Sequence, residues 1–324
     1  MNEDLVKKFR EDMQDKYGDA TLVTNESHLD AGVISTGSLS LDVSLGVGGI
    51  PRGVFTEIVG PESSGKTTVA LSIASQALKD GISVLYLDAE RSLDYRYVKS
   101  IIGDFDESLL TLLSPETAED FFSVAEEAIA SLAFGLIILD SLGALSPQKE
   151  LDDDLTDANV ALLPRLLTKW LRRNSFKVKA SNVAFIFLNQ VRDNIGSYVK
   201  SYVSPGGNAL KHFLTMRISF TKGQKIKVGD EVRGILTRFT ISKNKLAPPF
   251  RAGLLPIIFG TGVDYYRDVV EFSKRLGVLR QSGAYYKFEG ETLGQGVDRT
   301  IEALKKSPET LDKIVEMCYN ILDS

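Results

Sequence analysis

Four short runs of consecutive apolar residues punctuate the first two thirds of the chain: Phe55–Val59, Val84–Leu87, Leu136–Leu139 and Val183–Leu188. They are too short for helices and do not alternate with polar residues, the pattern of strands in a parallel sheet covered on both faces. Between them, apolar residues fall at helical spacing. Val69, Ile73 and Ala77 predict one helix, with Gly81 as its stop. Phe121, Val124, Ala125, Ala128, Ile129 and Leu132 predict another over 117–133, capped by Ser114 or Thr117. A third covers roughly 164–176, with Pro164 tolerable only in its first turn. This alternation predicts an α/β fold.

The flanking segments read differently. Residues 3–17 form a short amphipathic helix with Leu5, Phe9, Met13 and Tyr17 spaced by four; its stripe packs either on its own domain or on a neighbouring copy. A hydrophilic stretch, Gly18 to Asp30, separates it from the rest. Residues 191–212 are rich in Gly and Ser and carry Tyr198 and Tyr202, as a mobile loop would. Residues 213–220 and 232–242 alternate apolar and polar and predict antiparallel strands joined by a lysine-rich turn, Lys222–Lys227. From about residue 264 a small α+β module is expected: a helix to about Leu276, a hairpin around Tyr285–Leu293 and two closing helices, the last starting at Ser307-Pro308-Glu309.

Composition narrows the class. A chain of 324 residues is long enough for a large core and a smaller appended module. The lone Cys318 excludes an internal disulfide framework and fits a reducing compartment. No apolar run approaches the roughly 18 residues of a membrane span. Asn2, Glu3 and Asp4 open the chain with no apolar signal core behind them, so a cytoplasmic location is predicted. A net charge of −5 argues against a uniformly basic nucleic-acid binder and leaves a local basic track to be sought.

The first apolar run leads into Gly60-Pro61-Glu62-Ser63-Ser64-Gly65-Lys66-Thr67-Thr68, which satisfies G-x-x-x-x-G-K-[ST], a phosphate-binding loop between a strand and a helix. Gly60 and Gly65 allow turns that aim backbone N–H groups at phosphates. Lys66 supplies charge to the β- and γ-phosphates, and the Thr67 hydroxyl is placed to ligate Mg²⁺. The following helix adds its positive end. The other strands end in Asp88-Ala89-Glu90, Asp140 and Gln190. In a parallel α/β sheet ligands bind outside the carboxyl ends of strands, so these termini support one another. Asp140 fits a metal-holding carboxylate, Glu90 a base for water with Asp88 as competitor, and Gln190 a γ-phosphate sensor. Tyr97 stacks on the nucleobase or is a plain core tyrosine. A nucleoside triphosphate and Mg²⁺ are the expected ligands.

The cationic residues concentrate between 192 and 251: Arg192, Lys200, Lys211, Arg217, Lys222, Lys225, Lys227, Arg233, Arg238, Lys243, Lys245 and Arg251, opposed only by Asp193, Asp230 and Glu231. A charge run is commonly a solvated face. Shared with a Gly-rich, aromatic-bearing loop, it is the combination that binds single-stranded nucleic acid.

These motifs resemble the RecA family of DNA recombinases, in its bacterial type. The resemblance rests on Gly60–Thr68, Ser35–Asp42, Asp88-Ala89-Glu90 with Leu93-Asp94, Asp140-Ser141 with Ala144-Leu145, Asn189–Arg192, Pro205–Lys211, Lys243-Asn244-Lys245, Gly294-Gln295-Gly296 and Ser307–Thr310. It implies a RecA-like P-loop NTPase core, a mostly parallel sheet with helices on both faces, over residues 31–263. An N-terminal oligomerisation segment (1–30) and a small α+β C-terminal domain (264–324) would flank it. It further implies ATP as the nucleotide, helical filaments on single-stranded DNA and strand exchange with a duplex. Glu90 becomes the catalytic glutamate and Gln190 the sensor; Asp94 and Tyr97 contact adenine, and Lys243 and Lys245 reach a neighbour's ATP. The loops around Asp157–Arg165 and 192–209 match the family's two DNA-binding loops. They assign DNA contacts to Val160, Arg165, Arg192, Gly196, Ser197, Tyr198, Val199, Gly206, Gly207 and Asn208, with Arg172 beyond the first loop.

The sequence also departs from the family. The first loop opens with Asp152-Asp153-Asp154, Val160 stands where many members carry methionine, and His212 occupies a usually aromatic position. The chain ends at Ser324 without a long acidic tail, which implies less restrained duplex binding, and its N-terminal segment is short; both fit a phage-encoded or divergent bacterial member. Two rivals share parts of the pattern. A ring helicase shares Lys66, Asp140 and a glutamate but gives no reason for Gly206–Lys211 or Lys243-Asn244-Lys245. A filament-forming mediator that binds nucleotide without turnover gives none for Glu90.

Overall fold

The computed structural model describes residues 2–17, 32–153, 161–193, 202–203 and 207–323. The chain divides into two units, Met1–Gly32 and Val33–Ser324. In the first, helix α1 (Asn2–Tyr17) exposes Leu5, Val6 and Phe9.

The second unit begins with β1 (Val33–Ile34), α2 (Leu39–Leu45) and β2 (Ile50–Pro51), and continues through β3 (Phe55–Gly60) and α3 (Lys66–Lys79). Then come β4 (Val84–Asp88), α4 (Tyr95–Ile102), β5 (Leu110–Leu113), α5 (Ala118–Ser131), β6 (Leu136–Asp140), α6 (Gln148–Asp152) and α7 (Leu162–Ser181). Beyond β7 (Ala184–Gln190), β8 (Arg192–Asp193) pairs with β9 (Tyr202–Val203), and α8 spans Gly207–Phe213. The strands β10 (Met216–Val228), β11 (Glu231–Asn244), β12 (Ala252–Ile258) and β13 (Gly262–Val263) complete a nine-stranded sheet of order β13-β12-β11-β10-β3-β7-β6-β4-β5. The six strands from β10 to β5 pair in parallel and the remaining pairings are antiparallel.

Burial on both faces is what the continuous apolar runs demand. One face packs Ile58, Tyr86, Ile138 and Ile186 under α3 and α4. The other packs Leu85, Ile137, Phe185 and Phe187 under α5 and α7, where Trp170 lies within 6.3 Å, centroid to centroid, of Phe55, Phe122, Phe185 and Phe187. Thr117, not Ser114, caps α5, its hydroxyl accepting from Asp120 N at 3.1 Å. Pro164 does fall in the first turn of α7.

The hairpin differs from the expectation. Lys222–Lys227 is not a turn: β10 runs to Val228 and reverses at Gly229-Asp230, with Val228 opposite Glu231. Gly229 takes φ +61°, which a two-residue hairpin reversal requires and lysine would resist. The lysines therefore lie along an exposed strand extension.

The C-terminal part contains α9 (Tyr265–Leu276), a three-stranded sheet of β14 (Arg280–Ser282), β15 (Tyr285–Phe288) and β16 (Glu291–Gln295), then α10 (Gly296–Lys306) and α11 (Pro308–Asp323). Its own core of Val269, Val270, Phe272, Leu304, Ile314 and Cys318 also takes in Leu39 and Val43 of α2. Asp268 strengthens that joint, accepting from Ser38 Oγ at 2.7 Å and Ser40 N at 2.8 Å. No helix among the described residues is long and apolar enough to cross a membrane.

Candidate nucleotide site and nucleic-acid surface

Residues 60–68 join the end of β3 to the start of α3, with Gly65 as the N-cap in the left-handed region (φ +89°). A side chain on Gly65 would strike Ile257, and one on Gly60 would come within 2.8 Å of the Phe220 carbonyl and Ser64 Oγ. Gly60 is thus required by close backbone approach and Gly65 by its left-handed φ. Ser64 Oγ and Lys66 Nζ donate to the Pro61 carbonyl at 2.8 and 2.9 Å, holding the loop closed on itself. Burial lowers the pKa of Lys66, opposed by Asp140, Glu90 and Glu62.

Three strand ends converge beside this loop. Asp140 Oδ2 accepts from Thr67 Oγ1 at 2.8 Å and from Tyr86 OH at 2.7 Å. Burial lifts Asp140 to about 6, against the pull of those two hydroxyls. Glu90 Oε1 accepts from Ser141 Oγ at 2.8 Å and from Gln190 Nε2 at 3.0 Å, so the expected base and sensor are in direct contact. Asp88 is otherwise engaged: its carboxylate accepts from Glu90 N and Leu93 N, which shapes the turn that presents Glu90. Its carboxylate is thus engaged by backbone, whereas that of Glu90 faces Gln190 and Ser141. Tyr97 OH lies 2.8 Å from Thr68 Oγ1, on the first turn of α3. Asp94 caps α4 and pairs with Arg96 at 2.8 Å; hydrogen bonds from Arg96 hold its carboxyl down at about 2.

Lys243 Nζ donates to the Lys211 carbonyl, and Lys245 Nζ to that of His212 at 3.4 Å. Both lysines thus cap the carbonyl end of α8, where positive charge is favoured. Within this chain Lys243, in β11, and Lys245, just beyond it, are both turned to this helix of the same chain.

A model of the RecA N-terminal domain matches residues 5–264, and one of the RecA C-terminal domain matches residues 267–320. The chain belongs to the RecA family. It is 43% identical over 288 residues to Protein RecA of Thermus aquaticus, covering 88% of this chain and 84% of that protein. Protein RecA of Bacteroides thetaiotaomicron is 37% identical over 322 residues, covering 99% and 95%. A crystal structure of the RadB recombinase superimposes with a TM-score of 0.55 at 22% identity, over 71% of this chain and 98% of that one, a likeness of fold.

The RecA-family DNA-binding assignments are only partly placed. Arg165 and Arg172 are exposed on α7, seven residues apart and so on one helical face. Arg192 lies in β8, and Gly207 and Asn208 in the first turn of α8. Val160, Gly196, Ser197, Tyr198, Val199 and Gly206 lie outside the described residues. Lys222, Lys225, Lys227, Arg233 and Arg238 are exposed along β10 and β11. Arg217 leaves the basic track, because it is ion-paired with Glu57 at 2.7 Å.

Sequence reasoning missed Tyr86, Ser141 and Glu57. Tyr86 and Glu57 each carried a signal: a polar tip or a charge inside a run otherwise fit for burial on both faces. Ser141 stood only as part of the Asp140-Ser141 motif, and nothing in that motif pointed to its contact with Glu90.

Proposed function

We propose that this protein is an ATP-dependent DNA recombinase that hydrolyses ATP when bound to single-stranded DNA and exchanges strands with a homologous duplex. RecA-family membership supports the recombinase assignment. The contact of Gln190 with Glu90 beside the phosphate loop carries the coupling. In this reading the backbone of residues 61–67 and Lys66 cradle the phosphates, and Tyr97 borders the adenine with Asp94. Thr67 and Asp140, two oxygen donors 2.8 Å apart with the carboxylate buried, fit Mg²⁺ and would hold it. When bound, Mg²⁺ neutralises charge on the phosphate oxygens. Glu90 orients water and takes its proton. Gln190 exchanges its bond to Glu90 for the γ-phosphate, so triphosphate binding is felt at β7 and in the segment that follows it.

DNA then binds the loops after α6 and β7, and protomers assemble into a filament. The exposed Leu5, Val6 and Phe9 of α1 are suited to dock on a second copy. Lys243 and Lys245, hydrogen-bonded to the end of α8 in the single chain, would turn to the ATP of the adjacent protomer. We propose the division 1–30, 31–263 and 264–324 for the oligomerisation segment, the ATPase core and the small C-terminal domain, in a cytoplasmic protein.

The deciding experiment is joint-molecule formation: single-stranded DNA and ATP are mixed with homologous or heterologous supercoiled duplex. ATP-dependent D-loops with the homologous partner alone are expected. Duplex unwinding without homology dependence, with closed rings in electron micrographs, would identify a helicase-type motor instead.

A further inference from the structure

Three adjacent strands carry a polar ladder across the face that is otherwise lined by aromatic residues. Glu57 of β3 sits in register with Arg217 of β10 on one side and Phe187 of β7 on the other, with Asn189 one step further along β7. Residues two apart on a strand share a face, so Arg217, Glu57 and Asn189 all point into the layer that holds Phe55, Phe185 and Phe187. The Glu57 carboxylate is fully buried: one oxygen pairs with Arg217 Nε at 2.7 Å, and the other accepts from Asn189 Nδ2 at 2.9 Å. Asn189 is also fully buried.

A carboxylate in such a place is costly to desolvate, and burial indeed raises its pKa; Arg217, Asn189 and Lys211 oppose the rise. Replacing a buried ion pair with apolar residues is frequently neutral or stabilising, so stability alone is a poor account of this one. Its position gives a better one. Asn189 immediately precedes Gln190, and consecutive strand residues face opposite sides. Gln190 lies in register with Gly60 of the phosphate loop, and its amide reaches Glu90. On the far side of Gln190, Val191 N donates to the Gly60 carbonyl at 3.3 Å. The sensor therefore stands between two anchors, one on each side in sequence.

We infer that Arg217, Glu57 and Asn189 form a positioning unit, which fixes the end of β7 so that Gln190 meets Glu90 and the γ-phosphate, and which ties that alignment to β10. Arg217 is its outward end. It borders a cavity of about 630 Å³ shared with Val191, Ser219 and Lys222, so a shift of the hairpin strand reaches the sensor through one ion pair and one amide. None of the three residues touches nucleotide; they act through Gln190. The inference rests on the recombinase reading above.

The test is ATP hydrolysis with and without single-stranded DNA, resolved into kcat and KM for ATP. Stimulation by DNA in the wild type is the first requirement; its absence would overturn the recombinase reading and this inference together. Given stimulation, Asn189→Ala should lower the DNA-stimulated kcat by about tenfold or more, with KM for ATP within about twofold. Adding Gln190→Ala to it should cost little further, since a misplaced sensor is already lost. The double variant Glu57→Met/Arg217→Met removes both buried charges at similar volume and guards against misfolding. Its melting temperature should stay near that of the wild type while kcat remains low. Full stimulation in folded Asn189→Ala, losses additive with Gln190→Ala, or a double variant that regains kcat along with stability would each overturn the inference and leave the recombinase reading standing.

Discussion

Two hydroxyls oppose the effect of burial on Asp140, and one of them belongs to Tyr86. Tyr86 comes from the neighbouring strand, where its OH reaches the carboxylate at 2.7 Å and favours the ionised form. Burial has already lifted Asp140 to about 6, and only the ionised carboxylate can hold Mg²⁺. Removing the hydroxyl raises the pKa further, so loss is greatest on the acid side. Tyr86→Phe should weaken Mg²⁺-dependent nucleotide binding by on the order of 1 kcal/mol, about fivefold, near pH 6 and have little effect at pH 8. Titration of a fluorescent ATP analogue at both pH values checks this; equal weakening at both would show that Tyr86 acts by packing. The residue scale is also where the sequence was hardest to read. Lys66, Thr67, Asp140, Glu90 and Gln190 were legible because phosphate chemistry restricts residue type at fixed spacing. Tyr86 and Ser141 were not, because their roles depend on which strands become neighbours, and β4 beside β6 follows from no local pattern.

Elements were legible where one physical rule governs their length. The parallel strands and α3, α5 and α7 follow from apolar period and caps. The hairpin was misread because lysines are poor strand formers only when a strand must be buried. On an extension that leaves the sheet, they are solvated on both faces. This geometry offers a row of exposed charges, and Lys222→Ala/Lys225→Ala/Lys227→Ala should reduce the slope of log affinity for DNA against log salt by about 2–3. Fluorescence anisotropy from low to high salt measures it, and an unchanged slope would remove the hairpin from the DNA surface. Lys243 and Lys245, which cap α8, make a second prediction. If they serve a neighbouring protomer, Lys66→Ala and Lys243→Ala proteins, each inactive alone, should recover part of the DNA-stimulated hydrolysis when co-assembled. A mixture that stays inactive at all ratios would restrict both lysines to capping α8.

At the scale of the molecule, two buried carboxylates hold the segment around α2 in place. Asp42 accepts from Ser35 Oγ, Thr36 N and Thr36 Oγ1 at 2.6–2.8 Å, and Asp268 accepts from Ser38 and Ser40 across the joint with α9. Burial lifts Asp42 to about 7 and Asp268 to about 6, from 3.8 for each. The folded protein thus keeps protons that the unfolded chain releases. This contribution to stability is complete below about pH 4 and is lost as pH rises through 6 and 7. The lift on Asp268 corresponds to on the order of 3 kcal/mol over that window. Asp268→Asn keeps an oxygen for Ser38 and Ser40 but carries no charge, so its melting temperature should fall less between pH 5 and pH 8 than that of the wild type. Calorimetry at the two pH values decides; parallel declines would locate the pH dependence elsewhere. The joint was invisible in the sequence, since 228 to 230 residues separate the partners.

The same region contains the protein's lone thiol. Cys318 is buried in the C-terminal core with its pKa pushed up to about 12, so it is shielded and almost wholly protonated. In disulfide exchange the thiolate is the attacking group, so a reagent is consumed only where it can reach an ionised thiol. The native chain therefore carries a chemical clock without engineering: the rate at which Cys318 is labelled counts the openings of the C-terminal core, and runs with and without DNA would time them.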